Sequence, residues 1–439
     1  MNNRNIMKLF LSALFDAWNA ADIRYLILRN YYELPEYTEN DVDVLLDPSQ
    51  RSQARAIMRC TAEGYGWEIH NIGEFSCHAF YLYHLETLEQ IHIDLMCGVK
   101  WHSFFFASHA DMLRARRPLK NFYTPDPVHE AAVNLLTRLL YSGYVKEKYR
   151  DGIQQRAERA GDQFKATLAP WTGQRLARKI VKAAGQGEWG VIESQASGVR
   201  KHTGFANLKK PFRLAALLMA DVARWVRRWI SPPGISIVFM GPDGCGKTSV
   251  ADQLKQELQG TFAPEHGIHC HWKPVRQMSG NAPTENPHGL APRSRLLSLL
   301  YFGYHYLPFL WGWWRYIKPV LFRNGLAVID RYYYDFFVDQ RRYRLNLPEW
   351  IIKVGFVFIK NPNLVFCLDA DPGILQARKQ EVSFEECKRQ RETYRALASR
   401  LSTGHVIDAS QELDAVVRDV QKIILVYMNE RANRRFVKL

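Results

Sequence analysis

The sequence predicts an α/β protein in which a three-layer parallel-sheet half follows a separate α+β half. Two patterns lead to this expectation. From residue 235 onward, short apolar runs alternate with amphipathic helical segments, which is typical of parallel strands joined by helices. Before residue 195, several strand-like segments precede a long helical run, which favours an α+β domain. A length of 439 residues also exceeds what one hydrophobic core normally organises.

Composition divides the chain into four expected segments. A basic, partly loop-like stretch precedes the parallel-sheet half, and a basic stretch ends the chain. The segments are 1–195, an α+β domain with a helical extension; 196–234, a basic linker with an amphipathic helix; 235–428, the parallel-sheet domain; and 429–439, a basic tail.

Net charge is a strong global feature. The chain has 59 Lys and Arg against 44 Asp and Glu, a formal charge of +15. This surplus suits an anionic partner such as a phosphorylated substrate, an acidic glycan, nucleic acid or anionic lipid, and a merely soluble basic surface is the alternative. The sequence contains no recognisable DNA- or RNA-binding motif, so nucleic acid is not favoured.

The cysteines and the N-terminal residues bear on location. The seven cysteines form no C-x-x-C pair and show no zinc-ligand spacing, so we expect a reducing compartment and no structural metal. The first residues contain no apolar signal-peptide core. We therefore expect a cytoplasmic protein. Peripheral contact with the inner membrane and the formation of a homodimer both stay open.

Acidic residues mark the strands of the N-terminal half. A helix is expected over 6–20, followed by strands over 25–28, 41–46 and 90–95. Strand alternation puts Asp41 and Asp43 on one face, and the third strand offers Asp94. Three such carboxylates on adjacent strands could hold two Mg²⁺ ions over a triphosphate.

This pattern, over about residues 22–95, resembles the nucleotidyltransferase superfamily, which has D-x-D on one strand and a third Asp on a later one. The family usually has glycine-serine after the first strand, where the backbone approaches the phosphates. Arg29-Asn30 occupies that place here, and its side chains would crowd a triphosphate. Three alternatives stay open: an active transferase, an inactive binding module, and acids that coincide by chance.

Helical periodicity continues after the acidic strands. We expect a helix over 127–144 and further helix over 146–179, with a break near Pro170, both closing the N-terminal domain. Residues 198–204 are loop-like. The amphipathic segment 211–230 carries tryptophans and arginines, so it is either a connecting helix packed on its own domains or a contact with a membrane surface.

The most specific motif lies between an apolar strand, 235–240, and a helical segment starting at Val250. It fits G-x-x-x-x-G-K-[ST], in which glycines let backbone N–H groups converge on an anion at a helix N-terminus. The expected nucleotide-binding residues are Gly241, Pro242, Asp243, Gly244, Cys245, Gly246, Lys247, Thr248 and Ser249. Lys247 can reach the β- and γ-phosphates of ATP, and Thr248 can hold Mg²⁺.

Further apolar strands follow the motif, and each ends in polar residues. One strand ends at Asp330-Arg331, where a carboxylate can hold Mg²⁺ and a guanidinium can clamp a phosphate. A strand over 364–368 leads to a basic helical run that begins near Arg378 and suits a lid over transferring phosphates. A last strand over 405–407 and a helix over 413–426 complete the alternation.

Together these residues resemble the thymidylate-kinase-like branch of the nucleoside-monophosphate kinases, over most of 235–428. The resemblance rests on the glycine-rich loop, on Asp330-Arg331-Tyr332, on Leu368-Asp369 before the lid and on Ile407-Asp408-Ala409. It implies ATP and Mg²⁺ as cofactors, with Lys247 and the lid residue Arg378 at the phosphates. The remaining implied roles are metal binding by Thr248 and Asp330, acceptor contacts by Asp243, Asp330 and Arg331, and adenine contacts by Asp408 and Ala409.

Departures from that family indicate a changed acceptor. Met240 stands where thymidylate kinases usually have Glu, and a tyrosine-rich stretch from Tyr332 replaces their thymine-contacting residues. Residues 271–276 are expected to form a basic strand on the acceptor side. The expected acceptor-side residues are His271, Arg276, Arg331, Tyr332 and Asp335.

Proteins of this variant type, with a nucleotidyltransferase-like half in front, are associated with bacterial surface-polysaccharide gene clusters. The resemblance therefore implies an ATP-dependent kinase whose acceptor is a sugar or glycan of a surface polysaccharide such as lipopolysaccharide or capsule. The alternatives are a dTMP-like nucleoside monophosphate kinase and a non-catalytic, membrane-peripheral ATP-binding scaffold.

Residues 296–314 contain no Lys, Arg, Asp or Glu and are long enough to span a bilayer. We reject a span because it would put the loop 241–249 and Asp330 on opposite sides of a membrane, although both must reach the same phosphates. The expected structure is one or two buried helices covering the acceptor side. The alternative is a tryptophan-rich surface that rests on a membrane or stacks on sugar rings.

Overall fold

The computed structural model describes residues 3–75, 77–271, 273–274, 291–379 and 382–436. The chain forms two compact units. The first comprises Met1–Val226 together with Ala432–Leu439, and the second comprises Arg227–Arg431. This division differs from the expected segments, because the expected linker contributes most of its length to the first unit.

The first unit contains ten helices and nine strands within its described residues. Its helices are α1 Asn3–Ala20, α2 Arg51–Gly64, α3 His109–Arg114, α4 Pro127–Tyr141, α5 Glu147–Arg159, α6 Gly161–Thr172, α7 Gln174–Gly185, α8 Trp189–Glu193, α9 Ala196–Leu208 and α10 Pro211–Ile230, the last of which ends in the second unit. Its strands are β1 Tyr25–Ile27, β2 Val42–Leu46, β3 Trp67–Glu74, β4 His78–His84, β5 Gln90–Met96, β6 Lys100–Trp101, β7 Phe104–Phe105, β8 Arg117–Leu119 and β9 Phe122–Thr124.

The main sheet of this unit has five strands in the order β1-β2-β5-β4-β3. Strands β2 and β5 run parallel, with Asp43 opposite Asp94, and the other neighbours are antiparallel. The expected acidic strands are confirmed. The hairpin of β3 and β4 was not expected, since buried polar residues such as His70 and Asn71 interrupt its apolar pattern.

One local expectation in the first unit is wrong. Residues 198–204 belong to helix α9 rather than to a loop, because Val199 and Thr203 lie one turn apart on a face that is fully buried. The break expected near Pro170 is present, but it falls at Gly173, whose φ of 80° is a conformation that favours glycine, and Pro170 itself lies inside α6. A further break, at Ala160 between α5 and α6, was not expected.

The second unit is built on a five-stranded parallel sheet, as the alternating pattern predicted. Its strands are β10 Ile235–Met240, β11 Ile268–Cys270, β12 Leu326–Asp330, β13 Leu364–Asp369 and β14 Gly404–Asp408, in the order β11-β12-β10-β13-β14. Its helices are α11 Lys247–Glu257, α12 Arg295–Gly312, α13 Lys318–Phe322, α14 Asp335–Val338, α15 Glu349–Val357, α16 Pro372–Arg378, α17 Phe384–Arg400 and α18 Leu413–Phe436. The expected tail at 429–439 continues helix α18 as far as Phe436.

Strand β11 corrects the expected basic strand at 271–276. The strand lies three residues earlier, at Ile268–Cys270, and pairs with β12 in parallel register. His271 directly follows it. Arg276 lies outside the described residues, as do residues 272 and 275 of the expected strand.

The charge-free segment forms α12 and a π-helical turn, Trp313–Ile317. One face packs into the core through residues such as Phe302 and Phe309, so the expected buried helix is confirmed for that face. The opposite face carries exposed Leu300 and Trp311. No helix in the described residues combines the length and hydrophobicity that crossing a bilayer requires.

Candidate active site of the parallel-sheet unit

The glycine-rich loop connects strand β10 to helix α11. Gly241, Gly244 and Gly246 have φ values of 144°, 84° and 87°, so all three use backbone that favours glycine. A Cβ on Gly241 would lie 2.6 Å from the carbonyl oxygen of Leu368, which makes this glycine sterically necessary as well. The loop therefore has the curled backbone expected for an anion cradle at a helix N-terminus.

Lys247 is the first residue of helix α11, and its side chain contacts this loop. Its Nζ donates hydrogen bonds to the carbonyl oxygens of Gly241, at 3.0 Å, and Pro242, at 2.9 Å. The residue is 8 % exposed. Its ammonium group is thus fixed at the base of the loop. Gly241 and Pro242, which accept these hydrogen bonds, do not line the cleft.

Asp330, at the end of β12, is fully buried and lines the same cleft. Nε2 of His269 lies 3.3 Å and Nδ1 of His271 lies 3.5 Å from its Oδ2. Burial acts to raise the pKa of Asp330, but hydrogen bonding to His269 and then to His271 outweighs it and holds the pKa well below its usual range. Asp330 is therefore ionised at neutral pH.

His269 is a site residue that sequence reasoning missed. It lies on β11, opposite Val328 of β12, which brings its imidazole to the carboxylate two residues further along. The available signal was the alternation of His269 and His271, because residues two apart on a strand share a face.

Asp243 of the loop lies between two guanidinium groups. Arg331 donates to its Oδ1, and Nη1 of Arg342 lies 2.7 Å from its Oδ2. The resemblance implied that Asp243 and Arg331 both contact the acceptor, and the structure brings the two side chains together. Arg342 was missed, since 99 positions separate it from Asp243 and no local motif marks it.

The backbone after β12 turns sharply, with positive φ at both Arg331 (69°) and Tyr332 (49°). Such a conformation costs on the order of 1–2 kcal/mol per residue. It is held by a hydrogen bond from the Arg331 N–H to the Phe239 carbonyl and by another from the Tyr332 hydroxyl to the Lys360 carbonyl. The turn directs Arg331 to the loop and Tyr332 into the core.

Two expected acceptor residues do not face the cleft. Tyr332 is fully buried among aromatic side chains. Asp335 is also fully buried, where it accepts hydrogen bonds from the hydroxyls of Tyr343, at 3.0 Å, and Tyr394, at 2.9 Å, and pairs with Arg331. Both expectations are corrected. The tyrosine-rich stretch is part of the hydrophobic core, and Asp335 forms a buried ion pair with Arg331 instead of facing the cleft.

Arg378 joins the end of α16 to the turn after β14. Its Nη1 donates to the carbonyl oxygen of Ala409 at 3.0 Å. This is the turn that the resemblance assigned to the adenine, so Arg378 lies beside the expected base position, whereas the resemblance implied a place at the phosphates. Asp408, expected at the same place, is instead exposed and bonded to Ser410, and it does not line the cleft.

The cleft has a volume of about 630 Å³, within the range of small-molecule sites. It brings together most of the expected residues and several unexpected ones. The expected residues lining it are Asp243, Gly244, Cys245, Gly246, Lys247, Thr248, Ser249, His271, Asp330, Arg331, Arg378 and Ala409. The additional ones are Val250, Arg342, Lys379, Gln411, Leu413 and Val416.

The acidic cluster of the first unit has a different character. Asp43 pairs with Arg29, and His92 lies between Asp41, at 2.7 Å, and Asp94, at 2.8 Å. Burial acts to lower the pKa of His92, but hydrogen bonds to both carboxylates prevail and raise it to about 9. Two cations of the chain itself thus pair with these three carboxylates at neutral pH.

This pairing bears on the expected second metal site at Asp41, Asp43 and Asp94. Burial is also the main cause that raises the pKa of Asp43, against the effect of Arg29. Among the described residues, no group of three His, Cys, Asp or Glu side chains converges as metal ligands. The expected metal cluster is therefore not formed, because Arg29 and His92 hold the carboxylates.

The parallel sheet, the glycine-rich loop with its lysine, and an acidic residue at the end of the adjacent strand define a P-loop nucleotide-binding unit. Comparison with known proteins agrees with this class. No protein-family model matches the chain. The C-terminal part, about 44 % of the chain, is homologous to thymidylate kinases, which supports a nucleotide-dependent kinase of that fold.

Individual relatives illustrate this homology. A probable thymidylate kinase of Staphylothermus marinus is 29 % identical over 204 residues, which cover 44 % of this chain and 96 % of the relative. The thymidylate kinase of Xanthomonas euvesicatoria is 26 % identical over 219 residues, covering 46 % of this chain and 88 % of the relative. A solved thymidylate kinase from Ehrlichia chaffeensis aligns over 44 % of this chain and 100 % of its own, at 19 % identity and a TM-score of 0.32, a likeness too slight to carry an argument.

Proposed function

We propose that the second unit transfers the γ-phosphoryl group of ATP, with Mg²⁺, to an acceptor held beside Asp243. The observation that carries this proposal is the shared cleft. Residues 243–249 of the loop, including Lys247, line one cavity of nucleotide size together with Asp330 and the Asp243–Arg331 pair. Homology to thymidylate kinases supports the same reaction class.

Asp330 fits a role at Mg²⁺. It is fully buried, and its Oδ1 has no hydrogen-bond partner among the described residues, while Oδ2 faces His269 and His271. A buried, ionised carboxylate with free acceptor capacity suits a hydrated cation, and Thr248 in the first turn of α11 offers a hydroxyl. When bound, Mg²⁺ would neutralise charge between the β- and γ-phosphates.

Other residues of the cleft hold the nucleotide and orient the acceptor. Loop N–H groups and Lys247 hold the triphosphate and stabilise the negative charge that develops on the transferred group. Arg378 and the Ala409 turn border the opposite end of the cleft, where the nucleoside would lie. Arg331 and Arg342 fix the carboxylate of Asp243, so that it can orient an acceptor oxygen by accepting its proton in a hydrogen bond.

Charge balance favours a neutral acceptor, and we propose a sugar hydroxyl of a glycan. The acceptor-side guanidiniums of Arg331 and Arg342 are matched by the carboxylates of Asp243 and Asp335. A hydroxyl can use such a carboxylate as a hydrogen-bond acceptor, whereas a phosphate dianion would be repelled by it. The burial of Tyr332 in the core also supports an acceptor site unlike one built for thymine.

A nucleoside monophosphate is the second candidate acceptor. The relatives that match this chain are named thymidylate kinases. His271 and Lys379 add two exposed, basic side chains at the cleft, which could receive an acceptor phosphate if Arg342 released Asp243.

A radiolabelled transfer assay tests both candidates. The full chain is incubated with [γ-³²P]ATP and Mg²⁺, and either with dTMP and the other nucleoside monophosphates or with glucose, galactose, N-acetylglucosamine and dephosphorylated lipopolysaccharide core. We expect label on a saccharide that is lost in Lys247→Ala and kept in Lys255→Ala, a control on the same helix. Label on a nucleotide alone would contradict the sugar acceptor, and unchanged transfer by Lys247→Ala would contradict the kinase assignment.

A further inference from the structure

A second cavity, unrelated to the cleft of the P-loop unit, lies within the first unit among α3, α4, α6, α9 and α10. Its volume is about 610 Å³. It falls within the range of 300–1,000 Å³ that is typical of ligand pockets. We call it the helical cavity.

The walls of the helical cavity are apolar and rigid. They come from core residues of different elements, including Phe106, Met112, Leu136 and Leu214, each less than 10 % exposed. The aromatic ring of Trp171 adds to the wall from α6. A ligand that displaced water from these walls would gain hydrophobic stabilisation in proportion to its apolar area.

The mouth of the helical cavity is cationic. Lys209, Lys210 and Arg213 are exposed at the junction of α9 and α10, and among the described residues none of the three has an ion-pair partner. Asp111 is the one carboxylate in the lining, and it pairs with Arg114 at 3.3 Å. The guanidinium of Arg213 lies 4.1 Å from the ring centroid of Phe105, which fixes this charge at the entrance.

Two histidines line the same space. Burial, and then the charge of Arg213, lower the pKa of His109, which agrees with an electropositive mouth. Nδ1 of His129 is buried and makes no hydrogen bond within the described part of the chain.

We propose that the helical cavity binds one amphipathic anion, with its apolar body between α4 and α6 and its acidic group at Lys209, Lys210 and Arg213. A neutral apolar molecule would form no charge interaction with the three cationic side chains. A small inorganic anion would not cover the apolar walls, which would stay in contact with water. The inference does not depend on the reaction proposed for the second unit.

Calorimetric titration of the full chain tests the proposal, with decyl phosphate, decanoate and decyl glucoside as probes below their micellar concentrations. We expect one site per chain for the two anions and an affinity for the neutral glucoside at least about tenfold lower. Saturation by decyl phosphate but not by decanoate would restrict the acidic group to phosphate. Equal binding of the glucoside, or no binding of either anion, would overturn the proposal.

Paired variants locate the binding. Ala206→Trp inserts a large ring into the cavity wall, and Ala215→Trp places the same ring on the exposed face of α10 as a control. Arg213→Gln removes a charge at the mouth, and Lys201→Gln removes one on α9 away from it. We expect about tenfold weaker binding of decyl phosphate for Ala206→Trp and Arg213→Gln, with unchanged thermal unfolding. If the two variants of each pair bound decyl phosphate with equal affinity, the assignment of the binding site to the helical cavity would be overturned.

Discussion

Nη1 of Arg342 lies 2.7 Å from Oδ2 of Asp243, although the two residues stand 99 positions apart in the chain. Arg331 binds the other oxygen of the same carboxylate. These two contacts join the glycine-rich loop, which the motif associates with nucleotide phosphates, to residues that follow strand β12. On the proposed function, Asp243 would couple the donor and acceptor sides of the cleft, and its two guanidinium partners would help to select the phosphoryl acceptor.

Arg342→Ala is expected to impair catalysis through the acceptor rather than through ATP. Loss of one partner from a mostly buried ion pair costs about 2 kcal/mol, or roughly 30-fold in kcat/KM for the acceptor. The KM for ATP should change little, because Arg331 still holds Asp243. Steady-state kinetics with each substrate varied measure this split. Exposed Arg341→Ala is the control, and an equal loss in that variant would argue against the role of Arg342.

His269→Asn is expected to move the acidic limb of the pH–rate profile to higher pH. His269 is the main group that depresses the pKa of Asp330 against the effect of burial. Without it, burial raises the carboxyl pKa toward or above the ordinary value of about 4, and protonation inactivates the site at higher pH. Profiles of kcat/KM over pH 4.5–8, with His266→Asn as the control, test this. If the acidic limb of His269→Asn fell at the same pH as that of the unaltered chain, this would argue against a catalytic role for the contact between His269 and Asp330.

The first unit should lose stability as pH rises from about 6.5 to 9. His92 has its pKa raised to about 9 by Asp41 and Asp94, so its contribution is complete below the unfolded value near 6.5 and disappears as pH passes the folded value. Because Asp41 is 58 % exposed, we discount the effect to on the order of 1–2 kcal/mol.

Urea unfolding of the full chain at several pH values measures this dependence in the transition of the first unit. His92→Gln should flatten the decline, whereas His102→Gln, at an exposed position, should not. A first-unit transition that is equally stable at pH 6.5 and pH 9 in the unaltered chain would refute the role given to His92.

Local patterns in the sequence predicted the P-loop and four strands of the parallel sheet. The spacing of glycines and Lys247 encodes the loop within nine residues, and apolar runs ending in polar residues mark the strand ends. Contacts made by packing were not predictable in this way. His269 reaches Asp330 from the neighbouring strand, with only the alternation of His269 and His271 as a signal. Arg342 reaches Asp243 from a distant segment, and that contact has no signature in neighbouring residues.

The wrong expectations have physical causes too. Tyr332 and Asp335 follow the Asp-Arg pair and looked suited to an acceptor, but two consecutive residues of positive φ turn the chain into the core. Asp41, Asp43 and Asp94 were correctly assigned to neighbouring strands. The sequence did not reveal that Arg29 and His92 would pair with them, because this depends on side-chain packing across the sheet.

The affinity of the purified chain for ATP tests the central claim most directly. The loop amides and Lys247 should hold the terminal phosphates, so calorimetry with Mg²⁺ should give ATP binding at least about 100-fold tighter than AMP binding. Lys247→Ala should weaken ATP about tenfold or more while leaving AMP unchanged. Equal affinities for ATP and AMP, or no measurable binding of ATP, would contradict the account.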